Sequence, residues 1–133
     1  GRQAERGAEV AAATNSTFHT VDVANQRSNQ DFFIADEKHF GGQNVDFILL
    51  NAGVDGKNEE TVIPTLDVET YDYIFGANVR GVMLGIQYRM PLLREGGTFV
   101  STSSVGSILP FTANPVYAAS KAAVDSFVRS YAA

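Results

Sequence analysis

Apolar positions along the chain alternate between helical spacing and short continuous runs. Residues 2–13 are alanine-rich, with Arg2, Glu5, Arg6 and Glu9 as exposed charge, and predict a helix. TNS at 14–16 breaks it. FHTVDV, 18–23, has the β-branched content and length of a strand. Asn25 to His39 predicts a second helix with Phe32, Phe33 and Ile34 as its apolar patch. Gly41–Gly42 closes it, because glycine readily adopts the left-handed conformation just past a helix C-terminus. VDFILLN, 45–51, is a nearly continuous apolar run, the pattern of a strand buried on both faces of a parallel sheet. After the loop AGVDGKNEETVIP, Leu66, Tyr71, Ile74, Phe75, Val82, Leu84, Ile86 and Tyr88 recur at helical spacing. They predict one long helix from about Asp67 to Leu93, with Pro91 near its end. GGTFVSTSS, 96–104, is a third strand with its turn. The final helix starts near Pro115, a suitable first-turn proline, and carries Val124, Phe127, Val128 and Tyr131 as an apolar stripe. Helices and strands thus alternate, which predicts an α/β fold with a parallel sheet. The chain shows no internal repeat, low-complexity tract or linker.

Composition narrows the function classes. A chain of 133 residues, 44% apolar and 19% charged, is sized for one globular domain. Its net charge of −5 argues against nucleic acid and anionic membrane as partners, since both need basic patches. The absence of cysteine excludes disulfides, thiolate metal sites and cysteine nucleophiles. His19 and His39 are too few and too far apart in sequence to point to zinc, so no metal is expected. No apolar run approaches the ~18 residues needed to span a bilayer. The opening GRQAERGAEVAAA reads as a helix and not as a signal peptide, so a cytoplasmic setting is expected.

In open α/β sheets, ligands bind beyond the carboxyl ends of the strands. The three strand ends here carry Asp22–Val23–Ala24, Asn51–Ala52–Gly53 and Ser101–Thr102–Ser103–Ser104, all small or hydrogen-bonding. The last helix carries YAASK at 117–121. Positions i and i+4 share a helix face, so Tyr117 and Lys121 project side by side, while Ala118, Ala119 and Ser120 leave room for a ligand. In isolation, Y-x-x-x-K is an ordinary surface-helix pattern. In combination, these features say more.

VDV at 21–23, LNAG at 50–53, NVRG at 78–81, STSSVGS at 101–107 and YAASK occur in one order, with Ser104 thirteen residues before Tyr117. This set resembles the short-chain dehydrogenases/reductases, of the type that includes 3-oxoacyl-carrier-protein reductases and many sugar, polyol and steroid dehydrogenases. The resemblance covers essentially the whole chain. It implies a Rossmann-like doubly wound parallel sheet and an oxidoreductase that moves a hydride between NAD(P)(H) and a carbonyl or secondary alcohol. A free phenol has a pKa of about 10 and is a reluctant base near neutrality, so a nearby cation has a purpose. The resemblance makes Tyr117 the general acid/base. Lys121 is the cation that favours its phenolate and bonds the nicotinamide ribose. Ser104 is the hydroxyl that polarises the substrate oxygen, with Ser103 as the competing choice. Asn78 holds a water that links Lys121 to solvent. Asn51, Ala52 and Gly53 let the backbone approach the cofactor, and Asp22 and Val23 face the adenine. Arg2, after Gly1, would suit a 2′-phosphate, which favours NADP over NAD.

The chain departs from the family in two respects. The glycine-rich turn after the first strand is absent; Gly41–Gly42 precedes a strand, and D-G-K at 55–57 lacks the spacing of a phosphate loop. The chain also stops within the helix after YAASK. Residues 1–133 therefore read as the central part of a single NAD(P)-binding domain, incomplete at both ends. Its strands correspond to the third, fourth and fifth of the order 3-2-1-4-5-6, which leaves a gap two strands wide and an isolated chain that folds poorly. The competing readings are a non-catalytic nucleotide-binding protein and an inactive fragment. A homotetramer or homodimer through the two long helices is expected from the resemblance. Leu109 and Phe111 are either an apolar substrate lining or core.

Overall fold

The computed structural model describes residues 3–41, 45–56 and 63–132. Arg2 lies outside the described residues. The first helix, α1, spans Ala4–Thr14 and ends on Asn15 in the left-handed conformation (φ 50°). Helix α2 is Gln26–Phe40. Asn25 caps it, its side chain accepting from the Ser28 N–H at 2.9 Å, and Gly41 closes it at φ 68°. The capping residues flanking the apolar stretch thus set both ends, as the sequence predicts.

The two strands, β1 (Val45–Leu50) and β2 (Leu93–Ser101), pair in parallel. Phe47 lies opposite Thr98, Ile48 opposite Phe99, Leu49 opposite Val100 and Leu50 opposite Ser101, after an irregularity between Val45 and Phe47. A parallel pair needs a long crossover, and the helical path from Val68 to Leu92 provides it. The sequence predicts one long helix there. The structure has one continuous path in four parts: α3 (Val68–Phe75), a π-turn at Gly76–Arg80, α4 (Gly81–Arg89) and a 3-10 turn at Met90–Leu92. Asp67 caps its start through the Thr70 N–H. The third strand begins at Leu93, three residues earlier than expected, and releases the chain after Ser101 into irregular backbone and a 3-10 turn at Val105–Ser107. Helix α5 is Pro115–Tyr131, with Pro115 in its first turn and Asn114 as its cap.

Two sequence expectations fail. FHTVDV forms no strand: residues 16–22 have no regular structure. A strand exists only through ladder partners, and β1 and β2 bond to each other alone. A cavity of about 490 Å³ is lined by Phe18, Val21 and Val23 from this segment and by Phe47, Ile48 and Leu50 from β1. Nor is β1 buried on both faces. Ile48 is buried, but Phe47 and Leu49 are each 53% exposed, and Val100 on the neighbouring face of β2 is 38% exposed. Helices cover one side of the two-stranded sheet: Val82, Ile86 and Val124 form a buried cluster, against which Leu50, Phe99, Phe127 and Val128 pack.

Glycines allow α4 to approach closely. A Cβ on Gly81 would come within 3.0 Å of Val23 Cγ2, and one on Gly85 within 2.6 Å of Leu50 Cδ1. Among the described residues, no helix is long and apolar enough to cross a membrane.

The core assignment has a direct check. Ile86→Ala in the complete protein is expected to cost about 2–5 kcal/mol, as a buried isoleucine truncation does. Ile108→Ala, at a residue 81% exposed, is expected to stay within about 0.5 kcal/mol. Chemical denaturation measures both, and equal losses would contradict this core.

Candidate active site

The strand register brings the first polar groups together. Beyond the paired Leu50 and Ser101, the Thr102 N–H donates to the Leu50 carbonyl (3.1 Å) and the Thr102 hydroxyl donates to Asn51 Oδ1 (2.8 Å). The Thr102 carbonyl is left to accept from Lys121 Nζ at 2.8 Å. Lys121 therefore reaches back from α5 to the carboxyl ends of both strands. It is 4% exposed, and burial pushes its ammonium below the ordinary range against the opposing pull of Asp125 one turn on. An ammonium carries three donors. Among the described residues, Lys121 donates one hydrogen bond, to Thr102.

Asn78 closes the corner from the π-turn. It is fully buried. Its Oδ1 accepts from the Val54 N–H (2.7 Å), and its Nδ2 donates to the Val54 carbonyl (2.8 Å) and to Ser120 Oγ (2.9 Å). Ser120 Oγ in turn donates to the Tyr117 carbonyl at 2.7 Å. The strand-end segment, the long helical path and α5 are thus joined by one amide. Gly53 sits between the polar groups: a Cβ there would meet Lys121 Nζ at 3.2 Å and Asn78 Oδ1 at 3.3 Å. Single π-turns within α-helices recur at functional sites because they re-aim a side chain.

Tyr117 is half-buried on the same face of α5, with Lys121 Nζ 5.8 Å from its ring centre. Phe111 meets the ring edge-on at 6.2 Å. Phe111 is 44% exposed and Leu109 is 59% exposed, so neither is core. Ser104 caps the 3-10 turn through the Gly106 N–H (3.1 Å), and among the described residues its own O–H has no acceptor. Ser103 differs: its Oγ lies 3.4 Å from Ser107 Oγ, and hydroxyl bonds from Ser103 and Ser107 hold the Asp125 carboxyl below the usual range.

The other predicted residues lie further out. Val23, Asn51 and Ala52 line the 490 Å³ cavity, whereas Lys121 and Tyr117 do not. Asp22 precedes Val23 in a turn that meets the helical path of Asn78 twice, with Val23 beside Gly81 and Ala24 beside Gly76. His19 lies tilted against Phe32 with ring centres 5.3 Å apart, and His39 meets Phe40 edge-on. Among the described residues, no three His, Asp or Glu side chains gather to hold a metal.

Sequence reasoning missed Ser120, Thr102 and Asn114. Asn114 is buried, caps Tyr117 N–H at 3.0 Å and donates to the Asp55 carbonyl, so it ties α5 to the loop after β1. An asparagine directly before a first-turn proline was the available signal for it. For Ser120 and Thr102 no local signal exists.

The donor set suits a polar, multiply hydroxylated ligand. Among the described residues Lys121 has donors to spare and the Ser104 hydroxyl has no acceptor, and glycine at 53 leaves the space beside Lys121 and Asn78 open.

Comparison with known proteins identifies the family and the fold. The family model described as Enoyl-(Acyl carrier protein) reductase matches residues 1–133. The 2-(R)-hydroxypropyl-CoM dehydrogenase of Xanthobacter autotrophicus is 34% identical over 114 residues, 84% of this chain and 45% of that protein. The NAD(+) 15-hydroxyprostaglandin dehydrogenase of Rattus norvegicus is 32% identical over 136 residues, 96% of this chain and 48% of that one. The chain thus spans about half the length of these relatives. Among solved structures, a short chain dehydrogenase from Burkholderia cenocepacia J2315 in complex with NADP matches with a TM-score of 0.83 at 29% identity, covering 97% of this chain and 53% of that one. A short-chain dehydrogenase/reductase from Serratia marcescens BCRC 10948 matches with a TM-score of 0.86 at 26% identity, covering 98% and 54%. With sequence and backbone path shared over nearly all its residues, the chain belongs to the short-chain dehydrogenase/reductase family, and its parallel strands and flanking helices are part of that family's Rossmann-like α/β fold.

Proposed function

We propose that the complete protein interconverts a carbonyl and a secondary alcohol with NAD(P)(H). The observation that carries this reading is Lys121, a buried ammonium one helical turn from Tyr117, with donors to spare beside Gly53. A bound nicotinamide supplies the hydride donor or acceptor. The chain's own residues handle the proton and the positioning. In alcohol oxidation the substrate C–H electron pair leaves as hydride, and the O–H proton passes to Tyr117 Oη; in reduction both return. Lys121 favours the phenolate electrostatically and bonds the ribose hydroxyls. The free O–H of Ser104 donates to the substrate oxygen. Both N–H groups of the Asn78 amide are used by Val54 and Ser120, so a relay water reaches Asn78 only at an oxygen. Asn51, Ala52 and Gly53 admit the cofactor backbone, and Asp22 and Val23 meet its adenine.

The domain reading is part of the proposal. Residues 1–133 form the central part of one NAD(P)-binding domain, and the cavity between 18–23 and β1 is where two further strands pair. The free edge of β1 and the exposed face at Phe47, Leu49 and Val100 support this. Self-association through the long helical path and α5 is supported by the exposed Val68, Tyr71, Met83 and Tyr131.

Four results are expected. Tyr117→Phe lowers turnover by at least about 100-fold, the scale of general acid–base catalysis, while cofactor titration shows binding retained. Lys121→Ala lowers both rate and cofactor affinity; unchanged affinity would remove the ribose contact. In steady-state kinetics the wild type prefers NADPH, and Arg2→Asp shifts the ratio toward NADH; a wild-type preference for NADH would overturn the role of Arg2. Residues 1–133 expressed alone give no cooperative thermal transition and bind no cofactor, whereas the complete protein folds and runs as a dimer or tetramer by light scattering. A folded, cofactor-binding 1–133 would refute the domain reading.

A further inference from the structure

Asn29 is a fully buried amide in the first turn of α2, at 1% exposure. Its Nδ2 donates to three carbonyls: Asp22 (3.3 Å), Val23 (2.9 Å) and Asn25 (2.8 Å). Its Oδ1 accepts from Arg89 Nη1 on α4 at 3.0 Å. Arginine can only donate, so Arg89 dictates which way the amide points: oxygen toward the guanidinium, nitrogen toward the turn.

Arg89 is an expensive way to join two helices. It is 8% exposed and lies over the Phe32 ring at 4.4 Å, and among the described residues no carboxylate is within ion-pair distance of it. A pair of apolar side chains would pack α2 on α4 without desolvating a cation. What the apolar pair could not do is hold the turn. The other groups of the turn are bonded internally: Asp22 N–H to Ser28 Oγ (3.0 Å), Ala24 N–H to Asp22 Oδ1 (3.0 Å) and Asn25 N–H to the Asp22 carbonyl (3.1 Å). With the carbonyls gathered on Asn29, the Val23 N–H is the one backbone donor of residues 22–25 with no acceptor among the described residues. From the other side, Gly81 presses against Val23.

We propose that Asn29, oriented by Arg89, is a positioning residue for the adenosine half of the cofactor, holding the Asp22–Val23 turn in the shape that leaves the Val23 N–H free to donate. This rests on the reading above that Asp22 and Val23 meet the adenine. The pair sets affinity for the adenosine half and leaves the chemistry at Tyr117 alone.

The test uses the complete protein with Asn29→Asp, which keeps the acceptor for Arg89 but turns an oxygen toward the three carbonyls. Arg89→Met, which leaves Asn29 in place, is the second variant, and Arg89→Lys is the conservative control. Fluorescence and calorimetric titrations use NADPH, NADH, AMP and reduced nicotinamide mononucleotide. Affinity for the dinucleotides and AMP is expected to fall about tenfold, ~1.4 kcal/mol, in Asn29→Asp and Arg89→Met. Affinity for the mononucleotide is expected to hold, the cofactor KM to rise with kcat little changed, and Arg89→Lys to recover part of the loss. In the cofactor-free protein, the amides of residues 22–25 exchange with deuterium faster in the two variants. Unchanged AMP affinity, or equal loss for both halves of the cofactor, would overturn the proposal. A wild type that binds neither AMP nor dinucleotide would instead overturn the functional reading beneath it.

Discussion

The parallel register of two strands is the constraint on which the rest of the molecule depends. Leu50 opposite Ser101 puts Asn51 beside Thr102, and the Thr102 carbonyl then receives Lys121. A slip of one strand by one residue would exchange that strand's faces. Leu50 would trade places with Leu49, or Phe99 with Val100, and a residue that packs on the helices would be replaced by one that does not. Core and polar corner would be lost in one step, so burial of an apolar face enforces the geometry of the candidate site.

That corner is built from buried polar groups, and such groups stabilise only when their partners are complete. Asn78, Ser120 and Asn114 meet this condition through the Val54 backbone, the Tyr117 carbonyl and N–H, and the Asp55 carbonyl. Lys121 does not. Its burial opposes its charge, with one hydrogen bond and the field of Asp125 in return. Among the described residues, a buried ammonium with one hydrogen bond is where ligand binding has most to gain. The π-turn belongs to the same economy of space: it sets Asn78 toward Val54 between two helices that otherwise continue without a break.

Glycine fixes how close the long helical path can come. At Gly81 and Gly85 the missing side chains let α4 rest on Val23 and Leu50. The turn at 22–25 and the end of β1 are thereby tied to one rigid element, and the Arg89–Asn29 bond ties them a second time at its far end. The turn at 22–25, the end of β1 and the Asn78 corner, distant in sequence, are in this way carried by a single crossover.

Much of this was legible in the sequence because it is local. Gly41 closes α2 and Pro115 opens α5, and such end signals act within a few residues. The i, i+4 spacing alone places Tyr117 and Lys121 on one face, and the apolar run 45–50 is a strand by its content. Pairing and burial are not local. FHTVDV has every intrinsic property of a strand and is none, since no neighbour offers it a ladder. Phe47 and Leu49 read as core and are open, while Asn29 and Arg89, polar residues on two different helices, are buried against each other. The sequence by itself determined the caps, the periodicity and the residue types at the strand ends, all set by backbone preferences over a few residues. Only the tertiary structure decided which of those groups lost their water and what replaced it, because desolvation depends on neighbours that the chain brings together from afar.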